Sequence, residues 1–377
     1  MFCLQEGFLP GTPRISRGKM GDTLKILQAC GSPGPGGAQS FFLRLVRALH
    51  EHPETQVLPV VRYDSWLSER LSNLNISHET VSFGGRLDLI TKPKLSRIIS
   101  NFRPDVAQTW MNRASRFLPR NQVPSVGRLG GYYDLKYYQG LDYLVGNTED
   151  ICRYIREAGW PAERTRYIPN FVSIPDEGFK ERSDAIRAQH GVPENVPVLL
   201  LAGRLHPNKG FDVALRALAA LPNHIHALIA GEGEEETALK ELAQSLGIAN
   251  RVHFTGWVNA ITPLCAAADI FVVSSRHEPL GNVVLEGWAH AMPVVAADAA
   301  GPQQLITPEK DGLLVPMEDP AALSQAIARV IGNQTLAVTL AEQGLETLNR
   351  EFSEEAVTRR YIDFYKELKE QRALCAG

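Results

Sequence analysis

Short apolar runs alternate along this chain with longer stretches whose apolar residues recur every three or four positions. The first pattern is typical of buried strands and the second of amphipathic helices. The runs predict strands at 23–30, 57–62, 105–110 and 142–148, then at 196–205, 226–233, 251–257, 269–275 and 293–298. Between them, helices are predicted at 40–52, 149–159, 211–221 and 283–292. Strands that alternate with helices in this way predict an α/β fold with parallel sheets.

The strand, loop and helix that begin the fold near Thr23 recur near Val196. We therefore predict two Rossmann-like domains in tandem, one over residues 22–170 and one over residues 171–351, joined by a polar stretch rich in turn residues. Residues 1–21 lack the apolar centre of a signal peptide, and we expect them to form a disordered extension. Ligands of such sheets bind beyond the carboxyl ends of the strands, so the two domains should face each other across a cleft.

Charge is distributed unevenly between the predicted domains, although the net charge is only −3. Residues 22–170 carry 19 Lys and Arg against 14 Asp and Glu, whereas residues 171–349 carry 11 against 21. A basic half suits anionic lipid or a phosphorylated substrate, and ordinary variation between two solvated surfaces is an equally good interpretation. No basic run is interleaved with aromatics, which disfavours nucleic acid. The five scattered cysteines favour a reducing cytoplasm, and no apolar run reaches the roughly 18 residues of a spanning helix.

The segment Arg276–Glu286 places two carboxylates, Glu278 and Glu286, on either side of a Pro/Gly/Asn turn. The turn joins a predicted strand to a predicted helix, whose N-terminus offers free N–H groups and a positive dipole end to an anion. Carboxylates accept hydrogen bonds from hydroxyls, so the segment suits a sugar that carries a phosphate. A general acid/base pair is the alternative. We favour hydroxyl binding, because a carboxylate at a helix N-terminus is stabilised as an anion.

Two further loops follow predicted strands. Arg204 and Lys209 lie five positions apart across a Pro/Asn turn, and two cations there would bind a diphosphate and stabilise it as it leaves. The glycine-rich loop 31–39 would let the backbone approach a ligand at Gly36 and Gly37. This loop matches neither the dinucleotide fingerprint nor the P-loop, which disfavours a dehydrogenase. The plainer interpretation of Arg204 and Lys209 is two solvated loop charges. The plainer interpretation of the glycine-rich loop is a merely tight turn.

Taken in order, these motifs resemble those of the retaining glycosyltransferases of family 4. The shared elements are GGA in the first loop, AGRLHPNKGFD, AGEGEEE, FTGW and the two glutamates within RHEPLGNVVLE. The resemblance covers about residues 22–370 and implies the GT-B fold, in which two Rossmann-like domains face each other across a cleft. It also implies that a C-terminal helix within residues 352–377 crosses back to the first domain.

By this resemblance the second domain would bind a nucleotide-sugar donor. Arg204 and Lys209 would contact the diphosphate, Glu286 the ribose, and Glu278 the sugar hydroxyls. Of these, Glu278, Arg204 and Lys209 would be the catalytic residues. The other donor contacts would come from Gly37, Trp257, Leu280, Gly281, Asn282 and Val283. The reaction would proceed with retention, by front-face attack assisted by the leaving phosphate. No obligate cofactor or metal is implied, and the chain contains no D-x-D triplet.

The acceptor side departs from the family's pattern. Many members carry a histidine just after the matching strand, where this chain reads QTWMNRAS. Asn112 or Arg113 would supply the polar contact instead, and neither is assigned as a base. The aromatic stretch 128–140, which includes Tyr132 and Asp134, either shapes an acceptor site or packs in the core.

The leading hypothesis is a hexosyltransferase-type enzyme that moves a sugar from a UDP-, GDP- or ADP-sugar to a glycan or glycolipid acceptor. We expect a role in lipopolysaccharide or polysaccharide synthesis, in the cytoplasm, with peripheral contact to the anionic inner face of the membrane. A nucleotide-sugar epimerase and a catalytically inactive glycan-binding relative are the alternatives. The absent histidine supports the inactive relative, whereas the presence of Arg204, Lys209, Glu278 and Glu286 argues against it.

Overall fold

Two parallel β-sheets, each flanked by helices, organise the chain in the computed structural model, which describes residues 23–85, 87–175 and 183–376. All strand pairs within both sheets are parallel. The predicted α/β architecture of two Rossmann-like units is confirmed. The extension predicted for residues 1–21 lies outside the described residues.

The first sheet has seven strands in the order β3-β2-β1-β4-β5-β6-β7. Helices cover both of its faces, so central strands such as β1 and β4 are buried on both sides. Its strands are β1 (Leu24–Cys30), β2 (Thr55–Arg62), β3 (Glu79–Val81), β4 (Val106–Trp110), β5 (Ser125–Leu129), β6 (Tyr143–Gly146) and β7 (Thr165–Tyr167). Its helices are α1 (Gly37–Glu51), α2 (Trp66–Asn73), α3 (Thr91–Phe102), α4 (Met111–Phe117) and α5 (Glu149–Glu157).

The second sheet has six strands in the order β10-β9-β8-β11-β12-β13. The strand order reverses beside β8, which makes the β8/β11 edge the place where a doubly wound sheet binds its ligand. The strands are β8 (Val198–Ala202), β9 (His226–Ala230), β10 (Val252–Gly256), β11 (Ile270–Val273), β12 (Val294–Ala297) and β13 (Leu313–Val315). The helices are α6 (Ser183–Gln189), α7 (Phe211–Ala219), α8 (Glu236–Ser245), α9 (Thr262–Ala267), α10 (Asn282–Ala289), α11 (Ala300–Leu305), α12 (Pro320–Ile331) and α13 (Gln334–Glu351).

Each predicted strand is present, with ends that differ by a few residues. The prediction missed β3, β7 and β13, because three residues are too few to show a period. It also missed β5, whose sequence SVGRL contains a glycine and an arginine yet is buried throughout. Helix α1 begins three residues before its predicted start, so Gly37 is its first residue.

The final helix, α14 (Glu354–Ala376), packs against the first sheet, as the resemblance implied. The Tyr365 hydroxyl accepts a hydrogen bond from Nε2 of Gln28 at 3.0 Å. The Tyr361 hydroxyl accepts one from Nε of Arg128 at 2.9 Å. The helix begins at Glu354, two residues after its predicted start. No helix within the three described ranges, α14 included, is both long and apolar enough to cross a membrane.

Candidate active site between the two sheets

The loops after β8 and β11 meet at the carboxyl edge of the second sheet. Lys209 lies in the first of these loops and Glu278 in the second, and their strands are direct neighbours. The Lys209 ammonium is 2.5 Å from Oε2 of Glu278. Glu278 is buried, and the Lys209 side chain is 22% exposed. A lysine ammonium has three donors, so this ion pair leaves two of them for a ligand.

Hydrogen bonds to backbone carbonyls hold these two loops together. The Ser274 hydroxyl donates to the carbonyl of Lys209 at 3.0 Å, and the N–H of Arg276 donates to the carbonyl of Asn208 at 2.9 Å. Gly210 has a φ of +61°, and a Cβ there would lie 2.1 Å from the carbonyl oxygen of Ser274. Only glycine fits this close approach, which fixes Lys209 against Glu278.

Sequence reasoning missed Arg276, although it lies in the two-glutamate segment. Its guanidinium forms two parallel hydrogen bonds to Asp212, at 2.7 and 2.8 Å, and also pairs with Glu318. These bonds raise the pKa of Arg276, and those from Arg276 lower the pKa of Asp212. Its Nη1 also donates to the carbonyl of Pro207 at 2.8 Å. Arg276 thus ties both loops to α7, and no local pattern revealed it because its partners are distant along the chain.

Arg204, the other predicted phosphate contact, is 69% exposed in its side chain and lies 3.1 Å from Glu234. Sequence reasoning did not connect these two residues. Their loops touch through glycines, since a Cβ on Gly231 would lie 1.9 Å from the carbonyl oxygen of Gly203. The position of Arg204 therefore depends on the backbone of the loop that follows β9.

The turn between the two glutamates presents an uncapped helix N-terminus. Gly281, with a φ of +65°, is the residue before α10, and no side chain caps that helix. The first N–H groups of a helix have no acceptor within the helix, so those of Asn282 and Val283 are directed outward. The N–H of Gly301 donates to the carbonyl of Glu278 at 2.7 Å and fixes the turn against α11. Leu280 packs against the core of the first domain.

The expectation that a carboxylate at this helix N-terminus is stabilised as an anion is wrong for Glu286. Helix α10 begins at Asn282, and its first turn contains no acidic residue. Glu286 lies in the second turn, where burial raises its pKa. The Arg44 guanidinium, from the first domain, opposes that rise. Its side chain is therefore a partly buried carboxyl that faces a cation of the other domain.

Glu286 should make the stability of the free protein depend on pH. The folded chain keeps a proton that the unfolded chain releases above the ordinary pKa of 4.5, so stability falls as pH rises from that value to the folded pKa. The free energy of unfolding of Glu286→Gln, relative to that of wild type, should rise by up to about 1.4 kcal/mol per pH unit in that window. Above the window the difference should level off. Urea unfolding between pH 4 and 8 measures the difference. Glu241→Gln, at an exposed site on α8, is the control. If the difference in unfolding free energy between Glu286→Gln and wild type does not change with pH, the prediction is contradicted.

A chain of polar side chains links the two domains beside this turn. Nη2 of Arg128 donates to Oδ1 of Asn170 at 2.5 Å, and Nδ2 of Asn170 donates to Oδ1 of Asn282 at 3.3 Å. The buried Arg128 guanidinium lies 4.6 Å from the ring centroid of Phe41 and 4.4 Å from that of Trp110, which compensates part of its desolvation. The first residue of α10 is thereby tied to the first domain.

The predicted acceptor-side residues Asn112 and Arg113 lie just after β4. Met111 has a φ of +63°, which is unusual for a non-glycine residue and turns the chain sharply out of the strand. Oδ1 of Asn112 is buried and has no hydrogen-bond partner among the described residues. Nη1 of Arg113 donates to the carbonyl of Phe83 at 3.2 Å.

Within the aromatic stretch 128–140, some side chains pack in the core and others are exposed, so each of the two predicted interpretations fits part of it. Tyr138 is fully buried, whereas Tyr132 is 53% exposed and donates to a carboxylate oxygen of Asp150. Asp134 caps a single-turn helix by accepting from the N–H of Lys136 at 3.0 Å, and it also pairs with the Lys136 ammonium. The structure therefore gives Asp134 a local role.

Two predicted donor contacts lie at open positions. A Cβ on Gly37 would meet nothing within 4 Å, and α1 has no side-chain cap. Trp257 follows β10, is 72% exposed, and donates its backbone N–H to Glu232 at 3.2 Å. Among the described residues no group of three or more His, Cys, Asp or Glu side chains is arranged to hold a metal ion. Cations, carboxylates and helix N–H groups are what this cleft offers a ligand.

Comparison with known proteins decides the family. Residues 182–347 match the family model described as "Glycosyl transferases group 1". The lipopolysaccharide core biosynthesis glycosyltransferase LpsE of Rhizobium meliloti is 36% identical over 333 residues, which are 87% of this chain and 95% of that protein. LpsD, of the same description and organism, is 34% identical over 332 residues, which are 88% of this chain and 95% of that protein. The chain belongs to the group 1 glycosyltransferases. The predicted enzyme class is thereby confirmed, and the epimerase alternative gains no support.

The fold of this glycosyltransferase is also found in solved structures. The crystal structure of Anabaena Alr3699/HepE in complex with UDP aligns with a TM-score of 0.78 over 91% of this chain and 100% of that one. The two are 22% identical, so this likeness shows the fold alone. That fold is the predicted GT-B arrangement.

Proposed function

We propose that this glycosyltransferase moves a sugar from a nucleotide diphosphate to a glycolipid or glycan acceptor in lipopolysaccharide core synthesis. The Lys209–Glu278 ion pair beside the uncapped N-terminus of α10 carries the proposal, since it offers cationic, anionic and N–H groups at one point. The names of LpsE and LpsD support the pathway, and the HepE complex with UDP supports a nucleotide donor.

The donor's diphosphate would lie against the second domain. The two remaining donors of Lys209, the exposed guanidinium of Arg204 and the N–H groups from Leu280 to Val283 would bind its oxygens. Glu278 would accept from the sugar hydroxyls while it holds Lys209 in place.

Glu286 would accept from the ribose, and burial raises the pKa of this carboxyl. The exposed ring of Trp257 would lie near the base, and Gly37 would approach the diphosphate from the first domain. These two contacts come from opposite sides of the cleft, so the donor would be held between the domains.

The transfer would proceed with retention. The bond between the anomeric carbon and the diphosphate oxygen breaks, and the acceptor's hydroxyl oxygen bonds to that carbon on the same face. The acceptor's proton passes to the leaving phosphate. Arg204 and Lys209 stabilise the charge that develops on the diphosphate, which is their catalytic role.

The acceptor would bind to the first domain, beyond the carboxyl ends of β4 and β5. The unpartnered Oδ1 of Asn112, aimed by the sharp turn at Met111, would accept from an acceptor hydroxyl. Arg113 and the exposed ring of Tyr132 are further candidates, and Asp134 is a weaker one because it already serves as a local cap. The enzyme would act in the cytoplasm, in peripheral contact with the membrane.

A nucleotide panel tests this function. One of UDP, GDP and ADP should raise the melting temperature, because a ligand that binds only the folded state stabilises it. The matching nucleotide sugar should be consumed, with retained anomeric configuration in the product by NMR. Glu278→Ala should abolish consumption, whereas Lys240→Ala, on the exposed face of α8, should not. Failure of all three nucleotides to bind would overturn the proposal.

A further inference from the structure

Three large apolar side chains lie exposed to water within four residues of one another. They are Leu87, Leu89 and Ile90, which are 93%, 84% and 71% exposed. All three belong to the loop that joins β3 to α3, and we call them the apolar tip. Single exposed apolar residues are common on proteins, but a cluster of this kind marks a contact surface.

The loop that carries the apolar tip is held by its own hydrogen bonds. The Asp88 carboxylate accepts from the Ser82 hydroxyl at 2.7 Å, the N–H of Gly84 at 2.6 Å and the N–H of Thr91 at 2.9 Å. Phe83 is fully buried, and its N–H donates to the Thr91 hydroxyl at 3.0 Å. The described residues of this loop, 82–85 and 87–90, are therefore organised around Asp88, and the three tip side chains are exposed to water.

Cations follow the apolar tip in the chain and line a depression next to it. Lys92 and Lys94 lie in the first turn of α3. Lys92 also lines a depression of this surface together with Arg116, Arg120 and Lys136. Residues 87–140 contain nine Lys and Arg but only three Asp and Glu. Two of those three acids, Asp88 and Asp134, already have local partners.

We propose that the apolar tip and the cations Lys92, Lys94, Arg116, Arg120 and Lys136 dock the first domain onto an anionic lipid bilayer. The tip residues would enter the interface between headgroups and acyl chains, and the cations would bind lipid phosphates. Charge complementarity selects this partner, because an apolar cluster beside an excess of positive charge matches the boundary of an anionic membrane.

This surface begins at the same edge of the first sheet as the proposed acceptor site. A Cβ on Gly31, at the end of β1, would touch both Phe83 of the tip loop and Arg113. Docking would therefore bring the cleft close to the bilayer, where a lipid-anchored acceptor would present its sugar. The docking surface deepens the proposed function but does not need glycosyl transfer to be tested.

Vesicle sedimentation of the full chain tests the proposal. Wild type should bind vesicles of phosphatidylcholine with phosphatidylglycerol and release as salt is raised. The triple variant Leu87→Ser/Leu89→Ser/Ile90→Ser should bind at least about tenfold more weakly, since its apolar contact is lost. Arg116→Gln/Arg120→Gln should weaken binding only to vesicles that contain phosphatidylglycerol. Val338→Ser, at a 43% exposed apolar site in α13, should bind like wild type.

Three outcomes would overturn the docking surface. They are absence of wild-type binding, unchanged binding by the triple variant, and loss of a concentration-dependent oligomer in the triple variant, which would assign the tip to a second copy of the chain. Nucleotide-induced thermal stabilisation should be the same in the triple variant and wild type, which also shows that the variant is folded. Because the vesicles contain neither donor nor acceptor, their result does not depend on the proposed reaction.

Discussion

Replacing Lys209 with alanine is expected to lower kcat/KM for sugar transfer by about a hundred- to a thousandfold, roughly 3–4 kcal/mol of transition-state stabilisation. The ammonium is held 2.5 Å from Glu278, in a loop that Gly210 fixes against β11. We therefore expect it to meet the departing diphosphate without rearranging, and its charge should matter most when the diphosphate has gained negative charge. Initial rates at varied donor concentration measure the loss, which should appear in kcat as well as in kcat/KM.

A double-mutant cycle separates this catalytic role from a structural one. Lys209→Ala leaves Glu278 buried without its partner, so part of the loss reflects a disturbed carboxylate. Glu278→Gln and the double variant supply the other corners of the cycle. If the double variant recovers the activity that Lys209→Ala loses, Lys209 serves only to neutralise Glu278. Lys240→Ala, which breaks an exposed pair with Glu236, should leave kinetics unchanged.

The positions of the functional loops could be predicted from the sequence because strand ends are visible in the apolar pattern. Lys209 and Glu278 each follow a short apolar run, and the carboxyl ends of parallel strands meet at one edge. Their direct contact could not be predicted, since they are 69 residues apart and nothing in the pattern states that β8 and β11 are neighbours. Strand order is a property of the packed sheet.

Burial and partners over long distances account for what the sequence did not reveal. Burial raises the pKa of Glu286 and Arg44 of the other domain opposes that rise, so a pattern confined to α10 suggested the wrong protonation behaviour. Asn170 lies at the predicted domain boundary, and its bonds to Arg128 and Asn282 connect three separate parts of the chain, which no local pattern shows. The boundary near residue 170 itself stays a prediction.

Replacing Gly301 with alanine is expected to destabilise the fold by about 2–4 kcal/mol and to weaken nucleotide binding at least about tenfold. A Cβ at this position would lie 2.4 Å from both the carbonyl oxygen of Glu278 and the nitrogen of Gly281, and 2.9 Å from the carbonyl carbon of Leu280. All three atoms belong to the backbone, so no side chain can rotate away to relieve the clash. The turn must move away from α11, and the bond from Gly301 to Glu278 must lengthen.

That movement would displace both the carboxylate of Glu278 and the N-terminus of α10, because the same turn carries them. A shift of about 1 Å in such groups commonly costs around a hundredfold in rate, so activity should fall further than nucleotide affinity. Thermal unfolding with and without nucleotide, together with donor turnover, measures the three effects. Gly85→Ala is the matched control, since its Cβ would meet nothing within 4 Å. If Gly301→Ala melts at the same temperature as wild type and binds nucleotide equally well, the turn tolerates displacement and its backbone does not position the donor.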